Sequence, residues 1–186
     1  MKCVDELFLR KAAIEDKEEV LKFRDELLSF GGEINGEGGI AREDISYEDW
    51  LQKLETYSNP NTVPEGKVRG DHFLTIRKKD NRIVGMVNVR YDLNEFLTNF
   101  GGHIGDCVRP TDRNKGYATE QIKIAIEYLN DCGVDRILMT CKDTNIASAK
   151  SIEKNNGVLE NKITDAEGIL FRRYWIENKQ PRGKNE

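Results

Sequence analysis

The chain lacks the features that announce most metal and cofactor chemistries. Its four cysteines, Cys3, Cys107, Cys132 and Cys141, include no CxxC pair, and its two histidines, His72 and His103, lie far apart. These spacings leave no zinc framework, so no metal is expected. Neither a GxxxxGK nor a GxGxxG run is present, which removes the P-loop and dinucleotide fingerprints. No apolar run approaches the roughly 18 residues of a membrane span. The first sixteen residues carry both charge signs and no signal-type apolar region, so no membrane partner and a cytoplasmic location are expected. A basic excess is also missing. The formal net charge is −4, which argues against nucleic acid as a partner. No internal repeat or low-complexity segment breaks the chain. Its 186 residues are read as a single domain over 1–178, with a polar tail at 179–186.

Periodicity divides the rest into strands and helices. Residues 7–13 read as a strand and 14–30 as a helix with acids in its first turns. Residues 31–39 hold five glycines and read as a loop too flexible to serve core packing. A second helix at 46–57 starts from Ser46 as its cap, with Asp49 three residues on. Strands are expected at 72–78 and 82–91, joined by a hairpin at Lys79-Asp80-Asn81. Apolar residues at Val84, Met86, Val87 and Val89 alternate imperfectly, so both faces of that strand would be covered. A strand at 101–108 leads to the clearest helix, 115–131, whose stripe is Ala118, Ile122, Ala125, Ile126 and Leu129. A strand at 136–141, a helix at 145–155 capped by Asn145, and strands at 158–163 and 169–176 follow. The class is α+β, or mixed α/β: one central sheet of about six to seven strands flanked by helices.

The segment with chemical content joins the 101–108 strand to the strongest helix. Its sequence is Val108-Arg-Pro-Thr-Asp-Arg113-Asn114-Lys115-Gly116-Tyr117-Ala118-Thr119. Arg113, Gly116 and Ala118 fit Q/R-x-x-G-x-G/A. The first turn of a helix carries amides without intrahelical partners, and the dipole adds positive potential there. A glycine lets a diphosphate approach the backbone closely. Arg113 and Lys115 would add countercharge.

The run from Gly102 to Leu129 resembles motif A of the GNAT superfamily, and Asp143-Thr-Asn145-Ile-Ala-Ser148 through Gly157 resembles its motif B. The combination of Gly-Gly-His-Ile-Gly, Val-Arg-Pro, Lys-Gly-Tyr-Ala and Asn-Ile-Ala-Ser is similar to a bacterial subgroup of predicted acetyltransferases. The resemblance implies an N-acetyltransferase that uses acetyl-CoA as co-substrate and a small-molecule or peptide amine as acceptor, with a homodimer common among similar folds. It implies a bulged strand that splays from its neighbour. Pantetheine would pair with the backbone of Cys107 and Val108, and the Val108 amide would polarise the thioester carbonyl. Amides from Asn114 to Thr119 would hold the diphosphate, and Asn145 and Ser148 would lie along the pantetheine arm.

The sequence departs from the family pattern where many members place a tyrosine general acid. Ile152 stands there; Ser148, Ser151 and Tyr174 are the possible substitutes. Asp106, beside the expected bulge, is the candidate general base. His103 is three residues away, hence on the opposite face. The acceptor side would draw on the first helices, the loop 31–39 and Arg90-Tyr-Asp-Leu-Asn94, with Glu33, Arg90 and Asn94 as candidate binding residues and Glu37 as a further receiver for a cationic amine. Two other readings stay open: a catalytically silent CoA-binding protein, and an acyltransferase with a different acyl donor or acceptor.

Overall fold

A hairpin sets the register of the first sheet. In the computed structural model, which describes residues 3, 5–31, 34–42 and 44–177, strands β2 (Gly70–Arg77) and β3 (Arg82–Arg90) pair antiparallel from Gly70 opposite Arg90 to Arg77 opposite Arg82. Asn81 supplies the turn with a positive φ of 54°, a conformation that Asn tolerates. β1 (Leu7–Arg10) adds to the outer side of β2, and β4 (Ile104–Val108) to the outer side of β3. A second antiparallel sheet has the order β5 (Arg136–Lys142), β7 (Leu170–Glu177), β6 (Val158–Thr164). The helices are α1 (Lys17–Phe30), α2 (Tyr47–Ser58), α3 (Tyr117–Asp131) and α4 (Ile146–Lys154). The order of strands and helices is the expected one.

Several ends move for local reasons. The first strand stops at Arg10, and a 3-10 turn at Ile14–Asp16 precedes α1. A π turn at Leu97–Gly101 delays β4 to Ile104. α3 starts at Tyr117, not 115, because Gly116 takes a left-handed conformation with φ 84° that ends helical geometry on its N-terminal side.

Helices cover both faces of the sheets, which explains the weak alternation in β3. Val20, Phe23 and Leu27 of α1 and Trp50 of α2 pack on Leu74, Ile76, Ile83 and Met86. On the other face Ile122, Ala125 and Leu129 of α3 and Ala149 and Ile152 of α4 pack on Phe73, Val87, Val89, Ile104, Ile137 and Met139. Each large side chain buried this way contributes about 1.5–3 kcal/mol.

The seven strands form a four-stranded and a three-stranded sheet, parted between β4 and β5. The halves touch just before β4. The His103 amide donates to Leu138 O (2.7 Å), and the Leu138 amide donates to His103 Nδ1 (2.9 Å). Burial lowers the His103 pKa, which keeps the ring an acceptor. His103 is thus a joint between sheets. Gly102, at φ 65°, lets the chains approach: a Cβ there would stand 2.6 Å from Leu138 O.

The glycine-rich loop is packed, contrary to the expectation of a purely flexible segment. Ile40 is fully buried. A Cβ on Gly36 would meet the Asp106 backbone at 2.5 Å, and one on Gly38 would meet the His72 ring at 2.8 Å. His72 Nε2 lies 3.1 Å from Gly36 O, and Lys53 Nζ donates to Gly38 O at 3.1 Å. The glycines serve close approach of backbones as well as turning. Glu33 and residues 178–186 lie outside the described residues.

Gly102 and Gly168 allow a controlled test of the joint. Both have positive φ, but nothing stands within 4 Å of a Cβ at Gly168. Gly168→Ala should cost about 1–2 kcal/mol for the left-handed conformation alone. Gly102→Ala should cost clearly more, because the backbone of β5 must also shift. Urea unfolding of both variants measures the difference; equal losses would show that the joint is not closely packed.

Candidate active site

Two hydrogen bonds fix the phase of β4. The Arg90 amide donates to His103 O and the Arg109 amide to Val84 O, each at 2.8 Å. In an antiparallel ladder hydrogen-bonded pairs alternate with non-hydrogen-bonded ones. Ile104, Asp106 and Val108, opposite Val89, Val87 and Gly85, are therefore the non-bonded set. Their amides and carbonyls point away from β3, into the space where β5 does not pair. The register against β3 is unbroken throughout β4, so the bulge that the resemblance implied is absent; shifts occur instead at Thr75/Ile76 and Leu159/Asn161. The strands part without a bulge, beyond the contacts of His103 with Leu138 and of Thr140 Oγ1 with Phe100 O (2.6 Å).

This gap runs into a second set of unused amides. After Val108 the chain makes a 3-10 turn at Pro110–Asp112, then takes positive φ at Asn114 (63°) and Gly116 (84°). Among the described residues no acceptor receives the amides of Gly116, Tyr117, Ala118 or Thr119; the first α3 bond of this turn is from Glu120 to Gly116 O at 3.2 Å. Such an array at a helix N-terminus has the donors and the positive potential that suit an anion.

The side chains of the turn are mostly occupied. Lys115 Nζ donates to Asp112 Oδ1 at 2.6 Å, and Asp112 also takes Arg82 Nε (2.7 Å) and Arg77 Nη1 (3.3 Å). The Arg113 guanidinium lies 4.4 Å from the Phe30 ring centroid, with Nε 3.5 Å from Val108 O. The expected countercharges stand beside the loop but are held by protein partners, so the free donors are main-chain amides. Tyr117 is buried with its hydroxyl on Asp5 and Arg77. Thr119 O accepts from Asn155 Nδ2 at 3.0 Å, which ties the head of α3 to α4.

Asp106 projects toward α3. Its Oδ2 accepts from Gln121 Nε2 (2.8 Å); Gln121 is fully buried, and its Oε1 accepts from Thr75 Oγ1 (2.8 Å). Desolvation pushes the Asp106 carboxyl up to about 6, with Gln121 pulling the other way. The side chain is only half-buried. Gln121 was not singled out from the sequence, although a polar residue beside the apolar stripe of α3 was a usable signal. The Cys107 side chain sits on the other face with the α1 and α2 core. Burial pushes its thiol far up, so it stays protonated and is no nucleophile.

The other predicted residues scatter. Asn145 Oδ1 caps α4 by accepting from the Ser148 amide (3.1 Å), and the Ser148 hydroxyl stands by the Cys141 thiol. Ile152 is fully buried. Tyr174 is buried and donates to Glu153 Oε1 (3.0 Å), while Ser151 donates to Ala147 O (3.1 Å). Asn94 spends its side chain on Gly66 O (3.1 Å) and the Leu97 amide (3.0 Å), which makes it a turn residue. Arg90, in contrast, reaches the β4 face beneath the glycine-rich loop, with Nη2 3.6 Å from where a Cβ of Gly105 would be. Among the described residues no group of three or more His, Cys, Asp or Glu side chains is arranged to hold a metal ion, and no helix is long and apolar enough to cross a membrane.

The geometry agrees with comparisons to known proteins. The acetyltransferase (GNAT) domain family matches residues 6–157. The uncharacterized N-acetyltransferase YnaD of Bacillus subtilis (strain 168) is 28% identical over 133 residues, covering 60% of this chain and 74% of YnaD. Solved structures share the fold at lower identity. A GNAT-family acetyltransferase from Bacillus anthracis is 20% identical with a TM-score of 0.63, over 97% of this chain and 100% of that one. The acetyl-CoA complex of yncA, a putative acetyltransferase from Salmonella typhimurium, is 10% identical with a TM-score of 0.63, over 95% and 96%. Unpaired β4 amides leading into an open helix N-terminus, together with a family match over most of the sequence, establish that the chain belongs to the GNAT acetyltransferase family.

Proposed function

We propose that the protein transfers an acetyl group from acetyl-CoA to a primary amine by direct attack in a ternary complex. The observation that carries this reading is the pair of amide sets without an acceptor among the described residues, Asp106 and Val108 on β4 and Gly116–Thr119 at the head of α3. The latter four suit a diphosphate, since they offer fixed donors and the positive end of α3. Acetyl-CoA would supply the activated acyl group as a thioester. The Val108 amide would donate to its carbonyl oxygen and stabilise negative charge developing there.

Asp106 is proposed as the general base. A carboxyl with a pKa about 6 is ionised at neutral pH yet more basic than an ordinary Asp, which suits accepting a proton from the acceptor nitrogen so that the neutral amine attacks. It faces α3 across the strand from the glycine-rich loop, so the proton would travel to it through water in the gap. The protonated Cys107 thiol favours direct attack over an acyl-enzyme route. A silent CoA-binding protein remains the second reading, favoured by Ile152 at the usual acid position and by the engaged hydroxyls of Ser151 and Tyr174. A thiolate is a tolerable leaving group, so an acid is dispensable.

Calorimetric titration with acetyl-CoA tests the cradle. The wild type should bind in the micromolar range. Gly116→Asp should weaken binding at least about 100-fold, as its carboxylate would meet the diphosphate, with an unchanged far-UV spectrum. Undiminished affinity would remove Gly116–Thr119 from the site.

The pH dependence tests Asp106. The ionised form is the active base, so kcat/KM should fall as pH drops through about 6. Asp106→Asn should lack that limb and lose about 10²–10⁴-fold at neutral pH. An unaltered pH–rate profile in the variant would exclude Asp106 from proton transfer. Tight acetyl-CoA binding with no thiol release for any amine would favour the silent reading.

A further inference from the structure

Arg90 is desolvated and, among the described residues, has no acid to answer its charge. Its Nη1 donates to the carbonyl oxygens of Gly102 (3.0 Å) and Gly101 (3.3 Å), and among the described residues no carboxylate pairs with it. Burial alone holds its pKa down to about 10. Arg69, whose guanidinium lies over the Tyr91 ring, likewise has no carboxylate among the described residues, but four other well-covered arginines do. Arg77 meets Asp80 and Asp112, Arg109 meets Glu26 and Glu19, Arg172 meets Asp143, and Arg173 meets Glu160. A guanidinium removed from water without a counter-ion is costly, so the absence of an acid here calls for a reason beyond holding a turn.

Its position supplies one. A Cβ at Gly105 would stand 3.6 Å from Arg90 Nη2 and 3.6 Å from Gly36 Cα. Guanidinium, glycine-rich loop and bare β4 backbone thus converge on one spot. The guanidinium and the loop lie directly over the Gly105 backbone, within ordinary contact distance of where its Cβ would be. Farther along the same face, Glu37 lies close enough to Cys107 to push its thiol up electrostatically. One face of β4 therefore has a cation at its Gly105 end and an anion toward its Cys107 end.

We propose that the acceptor is an amine that also carries a carboxylate, held with the carboxylate on Arg90 and the amine directed toward Val108. This rests on the acetyl-transfer reading given above. Gly105 and Val108 are three residues apart, roughly 10 Å of strand. The two groups of the acceptor would stand several bonds apart, as the ε-amine and carboxylate of lysine do. Nη2 and Nε of Arg90 offer the planar donor pair that reads a carboxylate.

Matched acceptors test this: 6-aminohexanoate against hexylamine, and lysine against cadaverine, by thiol release from acetyl-CoA. The wild type should prefer the carboxylate-bearing member at least about tenfold in kcat/KM, the worth of a charge-assisted hydrogen bond. Arg90→Gln should bring the ratio to within about twofold and leave acetyl-CoA affinity unchanged, while Arg90→Lys should retain part of the preference. A merely structural arginine would lower turnover for both members alike. A wild-type ratio near one, or a preference that survives Arg90→Gln, overturns the proposal. Failure to bind acetyl-CoA would sink the transferase reading separately. In that event calorimetric binding of 6-aminohexanoate, expected for the wild type and lost in Arg90→Gln, still decides the role of Arg90, and no binding to the wild type overturns it.

Discussion

The His103 ring must remain neutral for the Leu138 amide to find its acceptor, and much else depends on that pair of hydrogen bonds. The two sheets touch there before β4 begins. Had pairing continued down β4, the amides of Asp106 and Val108 would be spent on β5. The contact joins Thr140 Oγ1 on Phe100 O and the α3–α4 core that spans both sheets in holding the strands close enough to make a defined gap. Burial supplies the neutrality by disfavouring the imidazolium, and Gly102 supplies the proximity. An architectural histidine thus sets where β4 stops pairing and its backbone is left open.

The site divides its labour between main chain and side chains. The amides at the head of α3 are free, whereas Lys115, Arg77 and Arg82 are committed to Asp112. The charges near the turn hold the turn, and the backbone amides at the head of α3 are left without an acceptor among the described residues. Preorganised amides lose no side-chain entropy on binding, which suits a site for a large, charged co-substrate. On the α3 face Asp106 is treated in the reverse manner. It has one side-chain donor, Gln121, and no cation, so desolvation prevails and raises its pKa. Specific charge on one side of β4 and its absence on the other arise within a few residues of one strand.

Much of this was legible in the sequence because it is local. The stripe of α3, the Asn81 turn, the Ser46 and Asn145 caps and the Arg113–Gly116–Ala118 spacing all lie within one or two turns of chain. The double burial of β3 was readable from Val84, Met86, Val87 and Val89. What was not readable depends on neighbours distant in sequence. Gly36 touches Asp106, His103 touches Leu138, and Gln121 touches both Asp106 and Thr75. Periodicity reports which face a residue occupies, not what stands opposite. For that reason the glycine-rich loop looked purely flexible and the sheet looked continuous. Asn94 looked available because a polar loop residue and a turn-capping one read alike.

Among the described residues the amides of Asp106 and Val108 on β4 have no partner, which has a consequence for the protein as a material. A sheet that stops short is normally an exposed edge, which proteins cover or charge to prevent unwanted pairing. Here the edge lies inside the molecule, open at one side of a cleft only as wide as two diverging strands allow. A linear ligand that hydrogen-bonds to Asp106 and Val108 would act as the missing strand. The fold would then be complete only when loaded, and its resistance to unfolding would rise with the concentration of that ligand. Cellular supply of a small molecule would, by this route, govern how long the polypeptide survives.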